Sequence, residues 1–203
     1  MGKRLWCLLT GWGSVGVVYN LTDTLQRPGT VLSPSWIDLM IPFSPAAIWL
    51  YLSFFLVIPL AYFTCPPARL RWLRNAMVVT ALCSGAVYLL WPTTMLYPTF
   101  VADSSLSAKM LAHLIRVDSA QNCLPSLHMA LTALAVWAMS RRAHPLRSGL
   151  YVLWYLAIGF SILQLRRHLF VDLLSGTALA LGVGALLWRF AKPALPSSQG
   201  RIS

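Results

Sequence analysis

The residues best suited to chemistry in this chain fall into two short clusters. The first is Asp118-Ser119-Ala120-Gln121-Asn122-Cys123-Leu124-Pro125-Ser126-Leu127-His128, a polar run that ends where an apolar stretch begins. Pro125 suits a first helical position, and the unpaired amides of a helix start, with the positive end of its dipole, make an anion site. Ser126 adds a hydroxyl donor. His128, within the first turn, is positioned to hydrogen-bond a phosphate oxygen or to protonate a departing alcohol. The second cluster is Arg166-Arg167-His168-Leu169-Phe170-Val171-Asp172. If helical, it sets His168 and Asp172 one turn apart, so that the carboxylate orients the imidazole and leaves the other ring nitrogen free as a nucleophile. Arg166 and Arg167 supply planar, permanently charged forks for phosphate oxygens. Singly, each cluster also fits a structural histidine or an interfacial arginine anchor. His113 and His144 have no such company and are left out.

What must position these clusters is a set of membrane helices. Apolar residues make up 58% of the 203 and charged residues 10%, against roughly 25% charged in soluble domains. Apolar runs over about residues 5–21, 46–65, 77–98, 125–140, 149–165 and 169–188 each approach the roughly 20 residues that a spanning helix needs. The expectation is an all-α polytopic integral membrane protein with six transmembrane helices in one bundle, a single transmembrane catalytic domain over residues 1–203. Gly11, Gly13 and Gly16 in the first run, and Gly176, Ala180 and Gly184 in the last, suit close helix packing in lipid.

The formal net charge of +11 does not point to nucleic acid, because the basic residues lie in short clusters between apolar runs rather than along one helix face. With the N-terminus cytoplasmic, Lys3, Arg4, Arg69, Arg71, Arg74, Arg141, Arg142, Arg147, Arg189, Lys192 and Arg201 fall inside, eleven of the sixteen, as the positive-inside rule requires. The C-terminus is then cytoplasmic too. All five acidic residues, Asp23, Asp38, Asp103, Asp118 and Asp172, map outside with both clusters, so the two clusters can meet on that face.

The apolar run after Lys3-Arg4 lacks a small-x-small cleavage site and reads as a retained span. Trp6 stands where a myristoylation signal needs Ser or Thr. Outer loops over 22–45 and 99–124 are long enough to cover a site. In the second, Leu106, Met110, Leu111, Leu114 and Ile115 recur at helical spacing, which fits either an interfacial helix or a plain connector. Cys7, Cys65, Cys83 and Cys123 show neither CxxC pairing nor His/Cys ligand spacing, so neither a metal nor a disulfide framework is expected. The polar tail from Pro193 to Ser203 is expected to fray.

With these residues in view, the chain resembles the type 2 phosphatidic acid phosphatase superfamily, whose second motif has the form PSxH and whose third ends in HxxxD. Pro125 to His128 and His168 to Asp172 match them. The resemblance implies a reaction without metal or cofactor. His168 attacks phosphorus to form a phosphohistidine, Asp172 supports it, His128 protonates the leaving lipid oxygen, and water then releases phosphate. Ser126, the backbone around Leu127, Arg166 and Arg167 would hold the phosphoryl oxygens. Two departures stand out. The first motif should end in Arg-Pro, but Trp91 to Pro98 ends in Tyr97-Pro98, and the third should open with Ser-Arg, where Ser161-Ile162 stands. Arg166, with Lys109 or Arg116, is expected to substitute.

The PSLH form, the basic residue before His168, and the stretch Asp38 to Ser53 with Tyr51 are similar to the branch holding inositol phosphorylceramide and sphingomyelin synthases. The implied function is a lipid phosphatase that cleaves a phosphate monoester or pyrophosphate at the outer leaflet; the small size and short tails fit a bacterial inner (plasma) membrane, with the site facing the periplasm or outside. The alternatives are a phosphotransferase that passes a phospho-head group to a lipid alcohol, and an inactive phospholipid-binding relative. The expected partners are a phosphorylated lipid substrate and membrane lipids, with no nucleic acid.

Overall fold

The computed structural model describes residues 1–25, 27–100 and 103–190. The tail from Pro193, with Lys192 and Arg201, lies outside the described residues. Along the chain run α1 (Gly2–Leu25), β1 (Thr30–Leu32), α2 (Trp36–Met40), α3 (Ile48–Leu52), α4 (Phe54–Thr64), α5 (Pro67–Leu90), β2 (Thr93–Met95), α6 (Leu106–Val117), α7 (Leu127–Met139), α8 (Pro145–Gln164) and α9 (Phe170–Phe190).

Prolines set several of these ends. Pro67 and Pro145 occupy the first turns of α5 and α8, where a missing N–H leaves no bond unmade. Pro92 forces Trp91 out of the helical region, to φ −143° and ψ 72°, and so ends α5. The helix expected over 77–98 therefore begins at Pro67, takes Arg69, Arg71 and Arg74 into its opening turns, and stops at Leu90. The following residues are extended, and β2 pairs in parallel with β1, Thr30 opposite Thr93 and Leu32 opposite Met95.

The stretches Pro45–Thr64, α5, α8 and α9 are each long and apolar enough to cross a membrane, and they coincide with four of the six expected runs. Their outward faces carry exposed Leu150, Leu153, Leu156 and Phe160 on α8 and Leu174, Leu181 and Leu186 on α9, a surface suited to hydrocarbon rather than water. This is a membrane protein. The 24-residue α1 opens with Lys3 and Arg4 and packs mainly on α5. The 13-residue α7 is about 20 Å long and sits at the centre of the bundle, against α4, α5, α8 and α9.

Two arginines fasten one end of this bundle. Arg4 donates to the carbonyls of Tyr62 and Cys65 (2.5 and 3.0 Å) at the end of α4. Arg69 donates to those of Trp137, Ala138 and Ser140 (3.1, 3.2 and 2.5 Å) at the end of α7. Both satisfy carbonyls that a helix end orphans, and both place a cation at the negative end of a dipole. The starts of α7 and α9 and the end of α8 lie at the opposite end, where the two clusters meet.

Candidate active site

The Pro-Ser step of the second motif is clamped from three sides. Tyr88 of α5 donates to the Pro125 carbonyl at 2.6 Å, Leu124 N–H donates to Thr93 Oγ1 at 3.0 Å, and Ser126 N–H donates to the Asp172 carbonyl at 2.9 Å. These bonds hold the segment extended, so α7 starts at Leu127 with Ser126 as its N-cap (φ −66°, ψ 112°). Pro125 thus lies outside the helix and not at its first position, a correction to the sequence expectation. Ser126 Oγ is buried and has no hydrogen-bond partner, which leaves it free for an anion at the helix start. Gly176 makes the arrangement possible, since a Cβ there would stand 2.2 Å from the Ser126 carbonyl oxygen.

The third motif is not one continuous helix. At the end of α8, Arg166 N–H bonds the Leu163 carbonyl (3.1 Å) and Arg167 N–H bonds that of Ile162 (3.2 Å). Arg166 itself takes a left-handed conformation, φ 53°. This is a Schellman cap with arginine at the position that usually takes glycine. The reversal sends the two arginines apart. The Arg166 guanidinium donates to the carbonyls of Ile41 (2.6 Å) and Asp38, tying the outer loop down. Arg167 turns toward Asp118.

His168 lies in the turn just before α9, with Asp172 in the first turn of that helix. One oxygen of Asp172, Oδ2, accepts from Leu169 N–H at 2.9 Å and lies 3.4 Å from His168 Nδ1. The carboxylate therefore starts its own helix and faces the imidazole as well. Asp38 completes the cap from the far loop, with Oδ1 accepting from Phe170 N–H at 2.7 Å and Oδ2 from Ser35 N–H at 2.8 Å. The rings of His128 and His168 stand 5.9 Å apart, so the fold brings both clusters together. His128 Nε2 is 2.8 Å from the hydroxyl of Tyr51.

Arg167 is held by two groups. Its Nε and Nη2 reach Asp118 Oδ2 at 3.2 and 3.0 Å, and its guanidinium lies over the Tyr97 ring at 4.9 Å. Asp118 also accepts from the Tyr19 hydroxyl at 2.6 Å. Burial opposes ionisation of Asp118, but Arg167, His128 and the Tyr19 hydroxyl hold its carboxyl below the usual range. Burial likewise opposes the charge on Arg167, and Asp118 more than restores it. Lys109 and Arg116, expected as substitutes for the absent arginine, are exposed on α6, and Arg116 Nε bonds the Ala112 carbonyl.

An apolar groove of about 340 Å³ leads to this site between α1, α4, α6 and α7. Trp12, Gly16, Phe54 and Leu131 form its walls, and Tyr19, Tyr51, Asp118 and His128 its polar end. Linear spacing gave no metal pattern, but the fold places Cys123, His168 and Asp172 together, with one ligand atom from each within 4.8 Å of the others. Burial pushes the Cys123 thiol up to about 11. All four cysteines are free. Tyr19 also enters the site, and in sequence nothing separates it from the other residues of its apolar run, whereas Tyr51 stands out only by its resemblance to the synthase branch and Cys123 only as a member of the first cluster.

The site is thus a histidine pair, one member backed by an aspartate, at the mouth of an apolar groove in a helical membrane protein. The sequence profile of the PAP2 superfamily matches residues 35–186, most of the chain, and the chain belongs to that superfamily. No curated protein and no solved structure gives a significant match.

Proposed function

We propose that the protein is a lipid phosphatase that removes a phosphate monoester or pyrophosphate from a lipid anchor through a phosphohistidine. Superfamily membership supports phosphatase-type chemistry in general. The observation that carries the finer reading is the pairing of His168 Nδ1 with Asp172 at 3.4 Å beside the His128 ring, at the end of the groove. Asp172 on Nδ1 leaves Nε2 of His168 for phosphorus. As that N–P bond forms, the bond from phosphorus to the lipid oxygen breaks, and His128 delivers a proton to the oxygen. A phosphate dianion beside His128 favours the imidazolium needed for this. In the second step the neutral His128 takes a proton from water, which attacks phosphorus and frees His168. Arg167, Ser126 Oγ and the amides at the start of α7 face the charge that develops on the phosphoryl oxygens.

In this reading α1 and α7 complete six spans in one catalytic domain, and the arginine-rich end is cytoplasmic. The site then faces the outer leaflet of a bacterial inner membrane. A second reading, transfer of the phosphoryl group to a lipid alcohol, draws on the enclosure of the nucleophile: His168 is 7% exposed and Asp172 not at all, so an acceptor arriving by the groove competes well with water.

The test is phosphate release by purified protein from phosphatidic acid, phosphatidylglycerol phosphate and polyprenyl pyrophosphate, with EDTA present. Turnover that resists EDTA and is lost in both His168→Ala and His128→Ala supports hydrolysis. Turnover only with an added lipid alcohol selects transfer. Lipid binding that survives His168→Ala with no turnover in the parent would leave a binding protein instead.

A further inference from the structure

We propose that Cys123, His168 and Asp172 form a binding site for a thiophilic divalent cation, with Zn²⁺ as its type, and that the ion inhibits the protein by taking the His168 nitrogen that Asp172 orients. The three side chains come from the loop before α7, the turn before α9 and the first turn of α9. They are 1%, 7% and 0% exposed, and one ligand atom from each lies within 4.8 Å of the other two. Asp172 Oδ1 is buried without a hydrogen-bond partner, and His168 Nδ1, buried as well, makes no hydrogen bond beyond its 3.4 Å ion-pair contact with Asp172 Oδ2. Such atoms are costly to leave unmatched, and a cation between them matches both.

The donor set selects the metal. A thiolate, an imidazole and a carboxylate are a zinc set, whereas Mg²⁺ and Ca²⁺ require mostly oxygen. Zinc bond lengths near 2.0 to 2.3 Å put tetrahedral ligand atoms roughly 3.3 to 3.8 Å apart, so the trio closes by about 1 Å around the ion. The fourth position is left for water or a phosphate oxygen. On binding, the Cys123 thiol proton passes to solvent, and the thiolate and carboxylate then neutralise the dication. No electron is transferred. A neutral filled site suits a low-dielectric surrounding, where a bare charge does not persist.

Entry is from the outer side. Tyr97, whose hydroxyl is 3.3 Å from Cys123 Sγ, lines with Leu169 a separate cleft of about 330 Å³ that Arg166 borders. The cleft gives the ion an approach on the Cys123 side, distinct from the apolar groove. Once bound, it removes the ring from the Asp172 carboxylate that orients it.

Binding of the ion rests on the geometry alone, while inhibition also rests on the reading of His168 as nucleophile, so the two are measured separately. Purified, chelator-treated protein is titrated with Co²⁺ as a spectroscopic stand-in, and phosphate release is followed in buffered Zn²⁺ series. The expected result is a near-ultraviolet thiolate-to-cobalt band at one ion per chain, absent in Cys123→Ser and in His168→Ala. Zn²⁺ inhibits the parent, and Cys123→Ser, measured against its own zinc-free turnover, needs at least about 10-fold more for half-inhibition. A parent without the band, or a band that persists in His168→Ala, overturns the site even if Cys123→Ser does not fold. Equal zinc sensitivity in a folded, active Cys123→Ser overturns the inhibition. A parent that shows the band but releases no phosphate keeps the site and removes the phosphatase reading.

Discussion

Nη2 of Arg167 lies 3.0 Å from Oδ2 of Asp118, and the same guanidinium is spread over the ring of Tyr97. Tyr97 stands where the first motif of the family carries an arginine. In the proposed mechanism Arg167, held by tyrosine on one side and aspartate on the other, supplies the cation that the sequence lacks at that position.

A lysine at 167 keeps the charge but loses the planar fork and the stacking surface. Arg167→Lys is therefore expected to lower kcat/KM by about 10- to 100-fold, or ~1.4–2.7 kcal/mol of transition-state stabilisation, with the bundle intact by circular dichroism. Phosphate-release kinetics check this. An unchanged kcat/KM would remove Arg167 from the site.

The Asp118 carboxyl is held below its usual range, and the sign of the resulting pH dependence follows. A depressed folded pKa gives stability that is present above the unfolded value near 3.9 and is lost as pH falls through the folded one. Removal of one partner from a buried pair costs about 3 kcal/mol, so Asp118→Asn should melt well below the parent at pH 7 in detergent. That gap should narrow as pH drops below about 4. A gap that stays constant with pH would mean that the charge of Asp118 does not contribute.

The two short motifs were legible because each needs only residue types at fixed spacing, and the end of the bundle on which they meet followed from where the arginines lie. The rest depended on backbone events that spacing does not encode. Arg166 and Arg167 look equivalent in sequence, yet a left-handed residue at 166 sends one to the outer-loop carbonyls and the other to Asp118. Pro125 was read as helical because proline favours first turns, but bonds from Tyr88, and from Leu124 to Thr93, hold that segment extended outside the helix. Asp38 caps a helix that begins at Phe170, and no local pattern announces a cap from so far away. The strand at Thr93–Met95 lies within the apolar run over 77–98, where hydropathy alone does not distinguish a strand from the end of a helix.

Among the described residues the Tyr51 hydroxyl bonds His128 Nε2 at 2.8 Å, the two rings lie 4.9 Å apart, and the tyrosine is buried. Tyr51→Phe keeps the ring and removes that bond, so the bundle should melt within about 1 kcal/mol of the parent. Turnover should fall about tenfold, ~1.4 kcal/mol, through kcat rather than KM, and the pH–rate profile should change shape because the ring nitrogen has lost its partner. A purely structural tyrosine would leave that profile unaltered.

Gly16 separates a chain-binding groove from an incidental one. A Cβ at this position would meet no atom within 4 Å, and the residue lines the groove that ends at His128. Gly16→Leu thus has open space at its Cβ, favours the helix by roughly 0.8 kcal/mol, and directs a side chain into the groove that an acyl or prenyl chain would occupy. The expected outcome is an unchanged or higher melting temperature, a KM at least about tenfold higher for a long-chain lipid phosphate, and unaltered turnover of a short, water-soluble phosphate ester. Gly176→Ala is the contrasting case, because its Cβ would stand 2.2 Å from the Ser126 carbonyl oxygen; stability and activity toward both substrates should fall together there. Equal loss on both substrates in Gly16→Leu would mean that the groove does not hold the lipid chain, and the substrate would then have to reach His168 from the outer cleft beside Tyr97.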